Sequence, residues 1–299
     1  MQQEEKFQII SDGSCDLSQE IVQKNNIRVI PFYVSFDGQT YRKEMVELGV
    51  REFYRRMIES PGVFPKTSMP SVEDYHEAFV GYASKGKPIL CICITTKFSG
   101  SMQSALSAAE LVRDEYPGAK ITVMDATVNT VLQGLLVMQA VSLRDRGASL
   151  PQAAARLEEI KGTGRIFFTI GDISYLRAGG RIGRLTGIAG TLLGVKPVIT
   201  LKQGEIFPSG VGRSRAKNLQ KTQELLLSYL KEAGEDAKNY AVVSGYGDDA
   251  AEGAAYRDAV KAAVRPLLGD VEIPLCQIGA TIAVHTGPYP LGVGVMRKA

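Results

Sequence analysis

Tryptophan is absent from the 299-residue chain, and histidine and cysteine are scarce, at two and four copies. His76 and His285 are far apart, and Cys15, Cys91, Cys93 and Cys276 include no C-x-x-C pair, which argues against a Cys/His metal site. Cys91 and Cys93 alternate inside the apolar run 88–95 and read as small buried hydrophobes. With aromatics at 7% there is no stacking platform for single-stranded nucleic acid, so no nucleic-acid partner is expected. No uncharged apolar run reaches about 18 residues, the length a membrane-spanning helix needs. The first six residues are polar and acidic, where a secretory signal would be basic and then apolar, so the cytoplasm is the expected compartment.

What is present is ordinary globular material, 44% hydrophobic and 22% charged with a net charge of +3. A single core rarely grows beyond about 250–300 residues, so two domains are expected. In the first half, strand patterns at Phe7–Ile10, Ile27–Ser35 (Pro31 marking an edge or a bulge), Ile89–Thr95 and Lys120–Asp125 alternate with helical ones. The helix between the last two, Ser101–Tyr116, carries Ala105, Ala108, Ala109 and Val112 on one face. Such alternation implies parallel pairing through right-handed crossovers. Helices over 131–143 and 151–161 lead to a seam at Gly162–Gly164, which divides the chain into domains 1–163 and 164–299. Beyond the seam come strand Arg165–Ile170, a glycine-rich helical stretch, strand Val198–Leu201 and a turn at 202–205. Helix Ser214–Ala233, strand Tyr240–Ser244 and helix Asp248–Leu268 follow, then Val271–Cys276 and a glycine-rich tail. Between Arg177 and Lys217 eight basic residues face one acid, Glu205, so this segment is +7 and the remainder about −4. It reads either as a solvated face or as a docking surface for an acidic or phosphorylated partner.

Two hydroxyl-rich turns precede helices. Ser71 with Asp74 has capping-box spacing, after Thr67 and Ser68. In the turn 95–101 a strand gives way to a helix, with Ser99 or Gly100 as N-cap. Such turns suit a carboxylate or phosphate, although capping alone accounts for most of them. His285 lies in an apolar, glycine-bounded stretch and is followed by Thr286 and a Gly-Pro turn, so its imidazole is expected in a crevice, donating to an anionic ligand. Gly245-Tyr246-Gly247-Asp248-Asp249 follows a strand and opens a helix, as a dinucleotide fingerprint would, but its two acids would repel a pyrophosphate and read better as caps. The glycines between 179 and 190 lack a G-K-[ST] ending and suit close packing or a slot for a slender ligand.

Six motifs in order resemble the DegV family of fatty-acid-binding proteins. They are Asp12-Gly13-Ser14-Cys15-Asp16, Thr67-Ser68-Met69-Pro70-Ser71, Lys97-Phe98-Ser99-Gly100-Ser101, Tyr175 to Ile182, Lys196-Pro197 with Gly204-Glu205-Ile206, and His285-Thr286-Gly287-Pro288. The resemblance spans nearly the whole chain. It implies an α/β fold of two α/β domains, the first with a mainly parallel and the second with a mixed sheet, and one long-chain fatty acid between them. The carboxylate is then expected near Thr67, Ser99 and His285, with Ser68, Gly100 and Thr286 beside them. It further implies a lipid-binding carrier, not an enzyme, without a cofactor other than the bound acid. Such a subunit of a bacterial fatty acid kinase presents the carboxylate to an ATP-dependent kinase subunit that makes the acyl-phosphate. Arg181 and Arg213 are the candidates for docking that partner, and contact with a membrane surface is expected to be transient. The chain departs from the family pattern at Met69, where glutamine is usual, at Gly13, around Tyr41–Glu44 and at Tyr289-Pro290; Tyr289 is expected to narrow the crevice mouth.

Two rival readings stand beside this one. Ser99 as nucleophile, His285 as base and Asp12 behind it would make an acyl-ester hydrolase, although Ser99 is not in a G-x-S-x-G elbow. Gly245–Ala250 with the basic segment would make a nucleotide-binding regulator.

Overall fold

A computed structural model describes residues 6–185, 196–212 and 214–299. Strand β1 (Gln8–Asp12) runs into a 3-10 turn at Gly13–Cys15 and then α1 (Gln19–Lys24), whose N-cap Ser18 accepts from the Ile21 N–H. β2 (Ile27–Ile30) returns parallel to β1 and ends at Pro31. Proline offers no N–H to a ladder, and the expected strand Ile27–Ser35 is therefore two strands in two sheets. β3 (Tyr33–Ser35) pairs antiparallel with β4 (Arg42–Lys43) and, beyond α2 (Val50–Glu59), with β5 (Lys66–Ser68). α3 (Val72–Ala83), β6 (Ile89–Cys93), α4 (Ser101–Glu115) and β7 (Ile121–Asp125) complete the first main sheet, in the order β2-β1-β6-β7 and parallel throughout. Every residue of β1 and β6 is buried, as a strand covered on both faces requires.

α5 (Thr130–Asp145) and α6 (Leu150–Lys161), the latter opened by a Ser149–Gln152 capping box with Pro151 in its first turn, lead out of this layer. β8 (Arg165–Thr169), the short α7 (Ser174–Ala178), β9 (Pro197–Lys202), β10 (Glu205–Val211), α8 (Arg215–Glu232), β11 (Tyr240–Tyr246), α9 (Ala250–Leu268), β12 (Leu275–Gln277), α10 (Ala280–Thr286) and β13 (Leu291–Arg297) follow. The second sheet has the order β10-β9-β8-β13-β11-β12 and is mixed: β11 and β12 run parallel, the other pairs antiparallel. Gln203 and Gly204, at φ 50° and 78°, make the left-handed two-residue turn that joins β9 to β10. Two α/β domains, parallel then mixed, are what the family resemblance implied.

The tail expected to be merely glycine-rich is α10 followed by β13, which lies in the middle of the second sheet. Gly292 and Gly294 weaken the strand signal of β13, yet Gly292 allows close packing: a Cβ there would come within 2.4 Å of Phe168 Cβ and 2.5 Å of the Phe167 carbonyl. The run Val271–Cys276 pairs only from Leu275, just after Pro274. The largest buried cluster draws on both sheets, Ile9, Leu90 and Ile92 from the first and Ile199, Leu201 and Val243 from the second, with Leu132, Leu136 and Ala140 of α5 in the same cluster. Among the described residues no helix is long and apolar enough to cross a membrane.

Candidate functional site

A cavity opens where the carboxyl ends of β2, β6 and β7 face the second sheet. Phe32, Ile94 and the segment Asn129–Val131 wall it on one side, Ile166, Phe168, Leu201, Ile206 and Gly292 on the other, and α10 contributes Thr281, Ile282, His285 and Thr286. Its empty volume is about 1060 Å³, solvent at the mouth included, and its wall is largely apolar. This is the size and place of a small-molecule site in α/β folds.

Polar side chains gather at one end. Thr67, on β5, holds its Oγ1 3.5 Å from His285 Nε2 in the last turn of α10. Ser99 lies just before Gly100, the N-cap of α4, and its Oγ accepts from the Ser101 N–H at 3.2 Å. Thr67, Ser99, Gly100, His285 and Thr286 all line the cavity. Thr286 spends its hydroxyl proton on the Ile282 carbonyl at 3.1 Å, so it offers the cavity lone pairs only. Ser68 is exposed and not part of the wall, because successive side chains on β5 point to opposite faces. Met69 also lines this end, its Sδ 2.9 Å from where a Cβ on Gly100 would sit.

His285 is neutral at ordinary pH. Burial first, and then the charge of Arg181, pulls its pKa down to about 4. Its buried Nδ1 has no hydrogen bond among the described residues and abuts Gly179, where a Cβ would lie only 2.0 Å away. Arg181 donates to the Gly179 carbonyl at 2.7 Å and to the Phe98 carbonyl at 3.2 Å, so its charge sits near the Nδ1 edge and the side chain ties the turn 95–101 to the end of α7. A lone pair on Nδ1 beside a cation, and the proton on Nε2, is the tautomer this arrangement favours. The Nε2–H then faces Thr67 and the cavity, a neutral donor for an anion.

The structure gives Asp12 a different job from the one a hydrolase needs. Its carboxylate accepts from the Ile94 N–H at 2.9 Å, Ser101 Oγ at 2.8 Å, Ser14 Oγ at 3.0 Å and Gln133 Nε2 at 2.8 Å, and makes no contact with His285. It ties the end of β6 to α4 and α5, and among the described residues no acid orients the imidazole as a triad requires. The glycines at 245 and 247 are packing residues: a Cβ on Gly245 would touch Val131 at 3.1 Å and one on Gly247 would strike the Pro288 carbonyl at 2.4 Å. Asp249 caps α9 through the Glu252 N–H, as its charge suggested. Tyr289, expected at the mouth, is exposed and packs over Gly171 without lining the cavity. Arg181 lines the wall as well as the surface, whereas Arg213 falls outside the described residues.

Sequence reasoning missed Gly179 as the seat of the imidazole, although it quoted the motif, and missed Asn129, Thr130, Thr281 and Ile278 as wall. The positive φ of Thr130 in that wall segment, 49°, and of Thr127 just before it, 56°, leave no sequence signal. A second polar pair lies below α10. Glu44 accepts from the Thr281 hydroxyl and the Thr281 N–H, and Asp16 from the Thr130 hydroxyl. The second oxygen of each carboxylate is buried and borders Gly279 at the start of α10. Burial pushes Glu44 up to about 7 and Asp16 well above the usual carboxylate range, Asp16 further through the nearby Glu44 charge. Among the described residues no cluster of His, Cys, Asp and Glu is placed to hold a metal ion.

A family model described as "Uncharacterised protein, DegV family" matches residues 6–298. A DegV domain-containing protein of Deinococcus radiodurans is 29% identical over 290 residues, 96% of this chain and 97% of its own. A stearic acid-binding protein of Eubacterium ventriosum superposes with a TM-score of 0.92 at 43% identity, covering 98% of each chain. A DegV family protein of Thermus thermophilus, described by its fatty acid binding, superposes with a TM-score of 0.85 at 30% identity over 98% of this chain and 99% of that one.

Proposed function

The chain belongs to the DegV family, and on that premise we propose that it binds a long-chain fatty acid in the cavity between its two sheets and presents the carboxylate to a partner kinase. The observation that carries this reading is the apolar cavity with a neutral imidazole and hydroxyls at one end. Burying about 15 methylenes at roughly 0.8 kcal/mol each contributes on the order of 12 kcal/mol before ordering costs, so the tail dominates affinity. A carboxylate entering the same cavity needs donors, and Thr67, Ser99, the His285 Nε2–H and the backbone N–H groups at Gly100 supply them. These donors are neutral, so the carboxylate keeps its charge and a lone pair to attack the terminal phosphoryl group of ATP on the partner, forming the acyl-phosphate as the bond to ADP breaks and ADP leaves. ATP use places the reaction in the cytoplasm, and loading requires brief contact with the membrane that competes for the acyl chain. We retain the division at 163/164: the strands of the parallel sheet all precede it and those of the mixed sheet all follow it.

Denaturing mass spectrometry of an organic extract of the purified protein is expected to release one long-chain fatty acid per chain. A protein that yields none and takes up no added stearate overturns the proposal. Ser99→Ala is expected to weaken acid retention by about ten-fold or more, the loss of one hydrogen bond to a charged group, with circular dichroism unchanged. Arg181 and Arg213 remain the proposed contacts with the kinase, and Arg181 has the geometry for two roles. Arg181→Glu should therefore reduce acyl-phosphate formation by an added kinase by about ten-fold or more, and stearate retention by clearly less. Equal losses would contradict that assignment.

A further inference from the structure

We infer that the chain itself carries a subsite for a phosphoryl group, just outside the carboxylate end of the cavity, in which Lys97 and Arg181 hold the phosphate of a long-chain acyl-phosphate. This rests on the fatty-acid reading above and extends it from the acid to its phosphorylated form. A surface depression shares Phe98, Ser99, Gly100 and Arg181 with the cavity as a common wall and adds Lys97, which the cavity does not reach. Among the described residues no acid lines it.

The two cations come from distant segments and are both anchored. Arg181 spends Nε on the Phe98 carbonyl and Nη1 on the Gly179 carbonyl, and among the described residues its Nη2 donates to no protein group. The Lys97 stem lies against the turn between β9 and β10, where a Cβ on Gly204 would come within 3.0 Å of its Cγ. Among the described residues its ammonium has neither an ion pair nor a hydrogen bond. Asp125, the acid bonded to this turn, is taken up by the Thr96 N–H and hydroxyl and by the Thr127 N–H. Glu205, beside Gly204, has a partner of its own.

Charge separates the acid from its product. A carboxylate brings one negative charge and meets the neutral Ser99, Thr67 and His285 donors inside. A phosphoryl group carries close to two at neutral pH, on oxygens beyond the carbonyl. Neutral donors within and cations without place positive charge where transfer creates negative charge. The cavity wall grips the acyl chain of either molecule alike. The ligand class is therefore a long-chain acyl-phosphate, held by its tail in the cavity and by its head in the depression.

The test titrates the full chain with stearate and with octadecyl phosphate, a stable stand-in for stearoyl phosphate. Wild type is expected to bind both, and Lys97→Gln to lower the affinity for octadecyl phosphate by about five-fold at low salt and that for stearate by clearly less. Lys97→Arg should recover most of the loss, and stearate retention by each variant reports that it is folded. Lys97 is the position to change, because Arg181 also bears on His285. Added salt should weaken octadecyl phosphate more in wild type than in Lys97→Gln. If wild type holds stearate but not octadecyl phosphate, or if Lys97→Gln leaves the ratio of the two affinities unmoved, the phosphoryl subsite is overturned and the fatty-acid reading survives. If wild type holds neither lipid, both are overturned.

Discussion

Gly179→Ala is expected to lower retention of a long-chain fatty acid by about ten- to a hundred-fold, the loss of a hydrogen bond to a charged group. Gly179 has φ −77° and ψ −8°, a conformation open to alanine, so the backbone need not move. The new Cβ, however, would lie 2.0 Å from His285 Nδ1, and the buried ring must leave its seat. With it goes the Nε2–H that faces Thr67 and the cavity, the proposed donor to the carboxylate. His285→Ala should cost a similar factor, and the double variant no more than either single one, because both act through one imidazole. Stearate titration of the four proteins decides the matter. Additive losses would mean that residue 179 acts through something other than the ring.

The second large effect concerns Glu44, whose folded pKa of about 7 lies above its ordinary 4.5. Between about pH 4.5 and 7 the native state keeps a proton that the unfolded chain has released, so stability falls as pH rises and the loss is complete above about 7. Glu44→Gln removes that loss. It is expected to be more stable than wild type at pH 8 by on the order of 3 kcal/mol and nearly equal to it at pH 4. His285 works in the opposite direction, since its folded value of about 4 lies below 6.5 and its contribution is lost as pH falls through that window. It is common to both proteins and cancels in the comparison. Urea unfolding at pH 5, 6, 7 and 8 gives the difference, and parallel profiles would show that Glu44 is not buried as a charge. The site is coupled to this pair, because Glu44 accepts from Thr281 at the start of the helix that carries His285.

Local order was legible along most of the chain. The parallel layer was readable in apolar runs such as Ile89–Cys93, and helix starts in caps such as Ser71 with Asp74, whose reciprocal bonds the structure contains. Pro31 was read as an irregularity, and it is where one strand becomes two. β13 was not legible, because its glycines carry no β-branched signal; their value lies in Phe167 and Phe168 on the neighbouring strand. α2, with Phe53, Tyr54 and Met57 buried, was passed over altogether.

The candidate head-group residues were chosen from the sequence by chemical type and by resemblance, and Thr67, Ser99, Gly100 and His285 do border one cavity. Alternation, capping and turn chemistry act over a few residues, so the order of side chains along the chain was enough to specify strands, helices and most of their ends. A cavity is the volume that two packed sheets leave unfilled, and a pKa is set by whatever surrounds the group. That His285 is neutral, that Gly179 seats it, that Ser68 faces away and that Asn129 lines the cavity are consequences of contacts between segments distant in sequence. Only the assembled fold brings those segments together.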